Sequence, residues 1–264
     1  MERREFLKIA GISTLVGLGG RVAFELLSPG QVEASLENVP LTQGKKWGMA
    51  VDVNLLDEAL MDACIEACHR IHNVPNLGNP KEEIKWIWKE TYEHAFPGQE
   101  HEYIAEGLRE KDFLLLCNHC TNPPCCRVCP TKATWKREDG VVMMDQHRCI
   151  GCRFCMAACP FGVRSFNWGD PRMAPKKLNP DFPTNMAYPT RAKGVVEKCN
   201  FCAERLATGL LPACVEAANN MKPDALTFGD LDDTESELRR RLREHYTIRR
   251  KPELGTGPNI YYIV

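Results

Sequence analysis

The sequence predicts an α+β fold built around repeated cysteine loops, and three observations predict it. Cysteines recur in four groups between residues 64 and 214. Short runs of strand character alternate with those groups from about residue 48 to 230, and the residues after each loop suit short helices. Between the second and third groups, Ala133 to Arg137 and Val141 to Asp145 are strand-like and are joined through Glu138-Asp139-Gly140, a hairpin signal.

The chain opens on Arg3-Arg4-Glu5-Phe6-Leu7-Lys8, a twin-arginine pattern. The mildly apolar run Ile9 to Gly20 and the small-residue stretch Val32-Glu33-Ala34 follow it. Residues 1–34 are therefore expected to address the protein, already folded, to the extracytoplasmic (periplasmic) face of the cytoplasmic membrane. The segment is either cleaved or kept as a single anchor; against a span, Ile9 to Leu27 carries Arg21 and Glu25, both costly in a bilayer. No other stretch approaches about eighteen uninterrupted apolar residues.

At 264 residues the chain can hold one large domain or two small ones. A formal net charge of −1 leaves no general field for nucleic acid or an anionic membrane, and no nucleic-acid partner is expected. Fourteen cysteines and eighteen prolines stand out. Counts of that kind mark short disulfide-stapled domains, and this chain is not short, so spacing must decide.

The first group is Cys64 and Cys68, with the x3 spacing that ends a cluster motif; the positions where its earlier ligands would stand hold Glu58 and Met61. Trp86 and Trp88 then alternate as strand residues sharing one face would. The second group, CNHCTNPPCCRVCP, gives C-x2-C-x4-C-x3-C-P through Cys117, Cys120, Cys125 and Cys129, leaving Cys126 over. The third, CIGCRFCMAACP, is a complete C-x2-C-x2-C-x3-C-P run through Cys149, Cys152, Cys155 and Cys159, the bacterial ferredoxin signature. The fourth joins Cys199 and Cys202 to Cys214, with Ala218 where a fourth cysteine would stand.

A cubane cluster needs four thiolates at the corners of a tetrahedron. Three cysteines three residues apart on a tight loop cover three corners while backbone N–H groups point at the sulfurs, and the fourth corner comes from elsewhere. Gly151, Ala157 and Ala158 let the backbone come close, and Pro130 and Pro160 turn the chain away after the ligand. Disulfides, the ordinary fate of exported cysteines, do not match proline-terminated runs. Zinc ribbons use paired C-x2-C motifs, whereas the second and third runs each crowd four cysteines of the series into about a dozen residues. Covalent haem needs C-x-x-C-H, and Thr121, Met156 and Ala203 stand where that histidine would be. His119 and His147 lie in or beside cluster loops, but a full thiolate set needs neither.

Residues 169–193, with prolines 171, 175, 180, 183 and 189, form a long surface connection. Beyond it, Thr234 and Glu237 form a capping box opening a helix that carries Arg239-Arg240-Arg241, a solvated face or a docking contact.

The order of the four runs, and the ending LGTGPNIYYIV, resemble the four-cluster ferredoxin-like subunits (DmsB, NrfC and PsrB type) that accompany molybdopterin oxidoreductases and quinone-reactive membrane subunits. The twin-arginine segment, the stretch RCIGCRFCMAACPFGVRSFNW and the degraded first site are most similar to the DsrO (HmeA) type, from the membrane complex linked to dissimilatory sulfite reductase. The resemblance implies two bacterial-ferredoxin-like (βαββαβ) units with insertions and a short C-terminal extension: an outer unit from 48–115 and 195–230, an inner unit at 116–168, a connecting loop at 169–194, and a C-terminal helix and tail at 231–264.

By the crossover of two-cluster ferredoxins it implies three [4Fe-4S] clusters: A on Cys117, Cys120, Cys125 and Cys159; B on Cys149, Cys152, Cys155 and Cys129; C on Cys199, Cys202, Cys214 and Cys68. Cys64 and Cys126 are then not ligands. The implied role is electron transfer without substrate chemistry, between an NrfD- or DsrP-like quinone-reactive membrane subunit and a multihaem c-type cytochrome subunit, in sulfate or sulfite respiration. The corresponding subunit of a polysulfide, tetrathionate or nitrite reductase is the alternative, and an exported zinc or disulfide module is the reading from another class.

Overall fold

The computed structural model describes residues 45–171, 183–189 and 191–264. The twin-arginine segment, and residues 172–182 and 190 of the proline-rich connection, lie outside the described residues. In chain order the strands are β1 (Trp47–Asp52), β2 (Ile87–Thr91), β3 (Asp112–Leu116), β4 (Thr134–Lys136), β5 (Val142–Met144), β6 (Ser165–Phe166), β7 (Val196–Glu197), β8 (Leu226–Asp230), β9 (Thr247–Ile248) and β10 (Ile260–Ile263). The helices are α1 (Glu58–His72), α2 (Tyr92–Ala95), α3 (Glu106–Arg109), α4 (Pro124–Arg127), α5 (Phe154–Ala157), α6 (Ala203–Leu206), α7 (Ala213–Met221) and α8 (Glu237–Glu244). No helix among the described residues is long and apolar enough to cross a membrane.

β1 is apolar on both faces because both are covered. It sits inside a four-stranded sheet of order β8-β1-β10-β9, parallel to β10 from Met49 opposite Ile260 to Asp52 opposite Ile263, and antiparallel to β8. The C-terminal residues are thus an inner strand of this sheet and not a loose extension. The remaining strands form three antiparallel pairs, β2-β3, β4-β5 and β6-β7. β4 and β5 are the hairpin expected from the sequence: Gly140 takes φ +82°, and Asp139 accepts from Val141 N and pairs with Arg137 at 2.6 Å. Of the two tryptophans expected on one strand face, Trp88 is on β2, whereas Trp86 precedes it and is buried, donating to Glu197 Oε2 at 2.7 Å.

α1 starts where the Asp57 carboxylate accepts from Leu60 N at 2.8 Å, and it stops at Asn73, which adopts the left-handed conformation. His69, Arg70 and His72 in its last turn suit the negative end of the helix dipole. Its buried stripe is Leu60, Met61, Cys64, Cys68 and His72, with helical spacing, and this stripe packs on α7. The single-turn helices α4, α5 and α6 follow the cysteine loops, as expected.

The cap of α8 differs from the expected Thr234-to-Glu237 box. Ser236 is the N-cap: its hydroxyl accepts from Arg239 N at 3.3 Å and donates to Asp230 O at 2.6 Å, a tertiary bond that Thr234 does not make. Arg240 stays exposed between Glu237 and Glu244, while Arg241 turns inward to Asp52 at 2.8 Å. Ser236→Ala is expected to cost about 1 kcal/mol. That lowers the thermal midpoint by roughly 2–4 °C, and calorimetry checks it.

Candidate iron–sulfur sites

Cys117 and Cys120 come from the loop between β3 and α4, Cys125 from α4 itself, and Cys159 from the end of the third run. All four line one cavity, together with Phe161 and Arg164. The C-terminal tail straps this loop in place: Thr121 N donates to Gly257 O at 2.8 Å, Asn122 N to Thr256 O at 2.9 Å, and the Asn259 amide to His119 O at 2.6 Å. A second cavity is lined by Cys129, Cys149, Cys152 and Cys155, so here too one cysteine crosses over from the other run. Gly151 (φ +70°) lies on its wall, where a Cβ would collide with the carbonyl oxygen of Gly194. The backbone N–H groups of Thr131, Ala133 and Thr134 pull the Cys129 thiol down against its burial.

Cys126 lines neither cavity. Its thiol hydrogen-bonds the Cys125 sulfur, and this, against burial and with help from Arg164 and Lys198, lowers Cys125 to about 5 while Cys126 is raised.

Cys68 on α1 meets Cys199, Cys202 and Cys214. Burial first, then these three thiols, push the Cys68 thiol well up. All four are at least nine-tenths buried. Phe201 N donates to Cys199 Sγ at 3.5 Å and Ala213 N to Cys202 Sγ at 3.4 Å, and burial holds Cys199 at about 12. His72 backs this group: it approaches Cys68 Sγ at 3.6 Å, stacks on Trp86 and pairs with Glu204 at 2.7 Å.

Cys64, one turn earlier on the same helix, lies beside Cys214 and donates to its carbonyl oxygen at 3.4 Å, and burial raises the Cys64 thiol to about 12. Met61 and Ala218 are buried in the packing of α1 and α7, and Glu58 is exposed beside Lys89. Two positions of an outermost ligand set are thus taken up by helix packing and a third by an exposed carboxylate. His119 is fully buried, stacked on Phe201 at 3.7 Å between ring centroids, and His147 is exposed.

Among the buried cations that escaped sequence reasoning, two stand beside the cysteines of the first cavity. Arg164 is on the first cavity's wall, and Lys198 donates to Val142 O and Cys199 O. Their only sequence signal is a charge inside otherwise apolar runs, FGVRSF and VVEKC.

Cysteines gathered in fours from separate runs, with N–H groups aimed at sulfur, define a class of protein built to hold iron–sulfur centres. A 4Fe-4S dicluster domain matches residues 112–176, which span both cavity loops. The chain is 36% identical over 282 residues to the Hdr-like menaquinol oxidoreductase iron-sulfur subunit 1 of Archaeoglobus fulgidus, covering 99% of this chain and 97% of the relative. It is 32% identical to the menaquinone reductase iron-sulfur cluster-binding subunit of Nitratidesulfovibrio vulgaris (83% of this chain, 88% of the relative), and 32% identical to Protein NrfC of Escherichia coli (99% and 94%). The chain belongs to this family of ferredoxin-like iron–sulfur electron-transfer subunits of oxidoreductase complexes. It is an electron-transfer subunit and not a catalytic one.

Proposed function

We propose that the chain relays single electrons through three [4Fe-4S] clusters, between a quinone-reactive membrane subunit and a multihaem c-type cytochrome or other redox subunit. Cluster A is held by Cys117, Cys120, Cys125 and Cys159, cluster B by Cys149, Cys152, Cys155 and Cys129, and cluster C by Cys199, Cys202, Cys214 and Cys68. The observation that carries this reading is that each of the two cavities is lined by four cysteines, three from one run and one from the other. Crossed cysteine sets around the β4-β5 hairpin also support two ferredoxin-like βαββαβ units as the underlying plan.

The donor chemistry fits such clusters: twelve thiols in three sets, N–H groups directed at sulfur, and buried cations to offset the anionic charge. A cluster, when bound, takes up and releases one electron. The chain's part is to fix the thiolates, exclude water and order the sites. The influence of Cys125 on Cys155, and of Cys117 on Cys199, favours the order B–A–C, from exposed Cys152 to buried Cys68. Cys126→Ala is expected to leave all cluster signals intact, and Cys125→Ala to abolish one. EPR of the reduced protein decides; an essential Cys126 beside a dispensable Cys125 would mean the register is wrong.

The membrane partner is supported by relatives named as menaquinol- and menaquinone-linked subunits, and membership of a sulfite-reductase-linked complex by the degraded first site. The second reading, a subunit of a tetrathionate or nitrite reductase, is favoured by 37% identity to a tetrathionate reductase subunit of Salmonella typhimurium and by the NrfC similarity. Purifying the native complex and identifying its subunits separates them. An extracytoplasmic location follows if the twin arginines are read as an export signal. Replacing both, Arg3→Lys with Arg4→Lys, then strands cluster-loaded protein in the cytoplasm, and unchanged export in a fractionation assay contradicts the location.

A further inference from the structure

Arg164 stands in the wall between the first two cavities. It is 5% exposed and lines the first cavity with Cys117, Cys120, Cys125 and Cys159. Its Nη1 donates to Thr134 Oγ1 at 3.2 Å and reaches Met144 Sδ at 3.8 Å, and both of those residues line the second cavity. Its Nε and Nη2 are buried without a hydrogen-bond partner of standard geometry, although the guanidinium leans on the Cys125 thiol. No carboxylate among the described residues pairs with it. Burial alone would lower its pKa, yet the thiols of Cys125, Cys155 and Cys117, from both cavities, raise it. A buried arginine with no carboxylate partner is costly unless other negative charge faces it.

We propose that Arg164 is a positioning residue whose single charge, shared by the two neighbouring sites, sets the reduction equilibrium of clusters A and B together. The proposal rests on the ligand sets given under Proposed function. Each electron added makes a site one unit more negative, and two adjacent reduced sites repel. A fixed cation in the shared wall favours the reduced form of both, with little screening because it is buried. Lys198 occupies a different position, between the first cavity and Cys199: it donates to the carbonyl oxygens of Val142, which lines that cavity, and of Cys199. The third site, reached through Cys199, therefore still has a cation beside it when Arg164 is changed.

The test uses the full chain loaded with clusters: iron analysis, then a dithionite titration followed by EPR, on the parent, Arg164→Met and Arg164→Lys. In Arg164→Met, two of the three one-electron steps fall by at least tenfold in reduction equilibrium constant, about 59 mV, and the third by less than threefold. Arg164→Lys restores both to within about threefold of the parent. Unmoved steps at full iron content overturn the proposal, as does a Lys variant that falls as far as the Met variant. Should the Met variant fail to load, the Lys variant decides: native steps support the proposal, and lowered steps or failure to load overturn it. Failure of the ligand assignment itself is separate, since it would show in the parent as a wrong iron count or a missing cluster signal.

Discussion

Cys68→Ala abolishes one cluster signal and removes about four irons per chain, whereas Cys64→Ala leaves iron, sulfide and spectra unchanged. The two cysteines are one helical turn apart on α1 and both buried, so exposure does not distinguish them. Partners do. Cys68 faces three thiols, Cys199, Cys202 and Cys214, while Cys64 nears Cys214 alone and donates to its carbonyl oxygen at 3.4 Å. The competing arrangement is a three-iron cluster on Cys199, Cys202 and Cys214, in which Cys68→Ala would be silent. EPR and iron analysis on the two variants separate these outcomes.

Arg191→Met destabilises the fold by about 3–5 kcal/mol, because it strands a buried carboxylate. Arg191 and Glu197 meet at 2.7 Å with side chains 0% and 1% exposed. Trp86 Nε1 and Asn167 Nδ2 also donate to Glu197, and Arg191 lies over Trp86 and Tyr188. Through Nη1 it donates to Asn73 O at 2.8 Å, tying the returning connection to the end of α1 that carries Cys68. The thermal midpoint should fall by about 10 °C, and Arg191→Met combined with Glu197→Gln should recover part of it, since the unpaired charge is then gone. A single-variant loss below about 1 kcal/mol would contradict this account of the network.

Cysteine spacing made the loops legible, because a cubane imposes short intervals that no other local purpose requires, and the same holds for the β4-β5 hairpin with its glycine turn. What spacing could not show is tertiary. The parallel pairing of β10 with β1 and the strapping of Thr121 and Asn122 by Thr256 and Gly257 join residues more than a hundred positions apart. Ser236 beat Thr234 as the helix cap because of a bond to Asp230, which local sequence does not contain. The connection expected over 169–193 on the surface returns with Asn185 bonded to Asn73 and Arg191 fully buried, so its end is part of the core around α1. Arg164 and Lys198 gave no periodic signal, since each is a lone charge whose meaning depends on the cysteines folded around it.

Iron and acid-labile sulfide per chain, measured on the full-length protein loaded with clusters, test the central claim most directly. Three complete thiolate sets, with Glu58, Met61 and Ala218 in place of an outermost set, predict about twelve of each. About sixteen of each would mean that a fourth cluster forms where α1 and α7 pack, and would contradict the account.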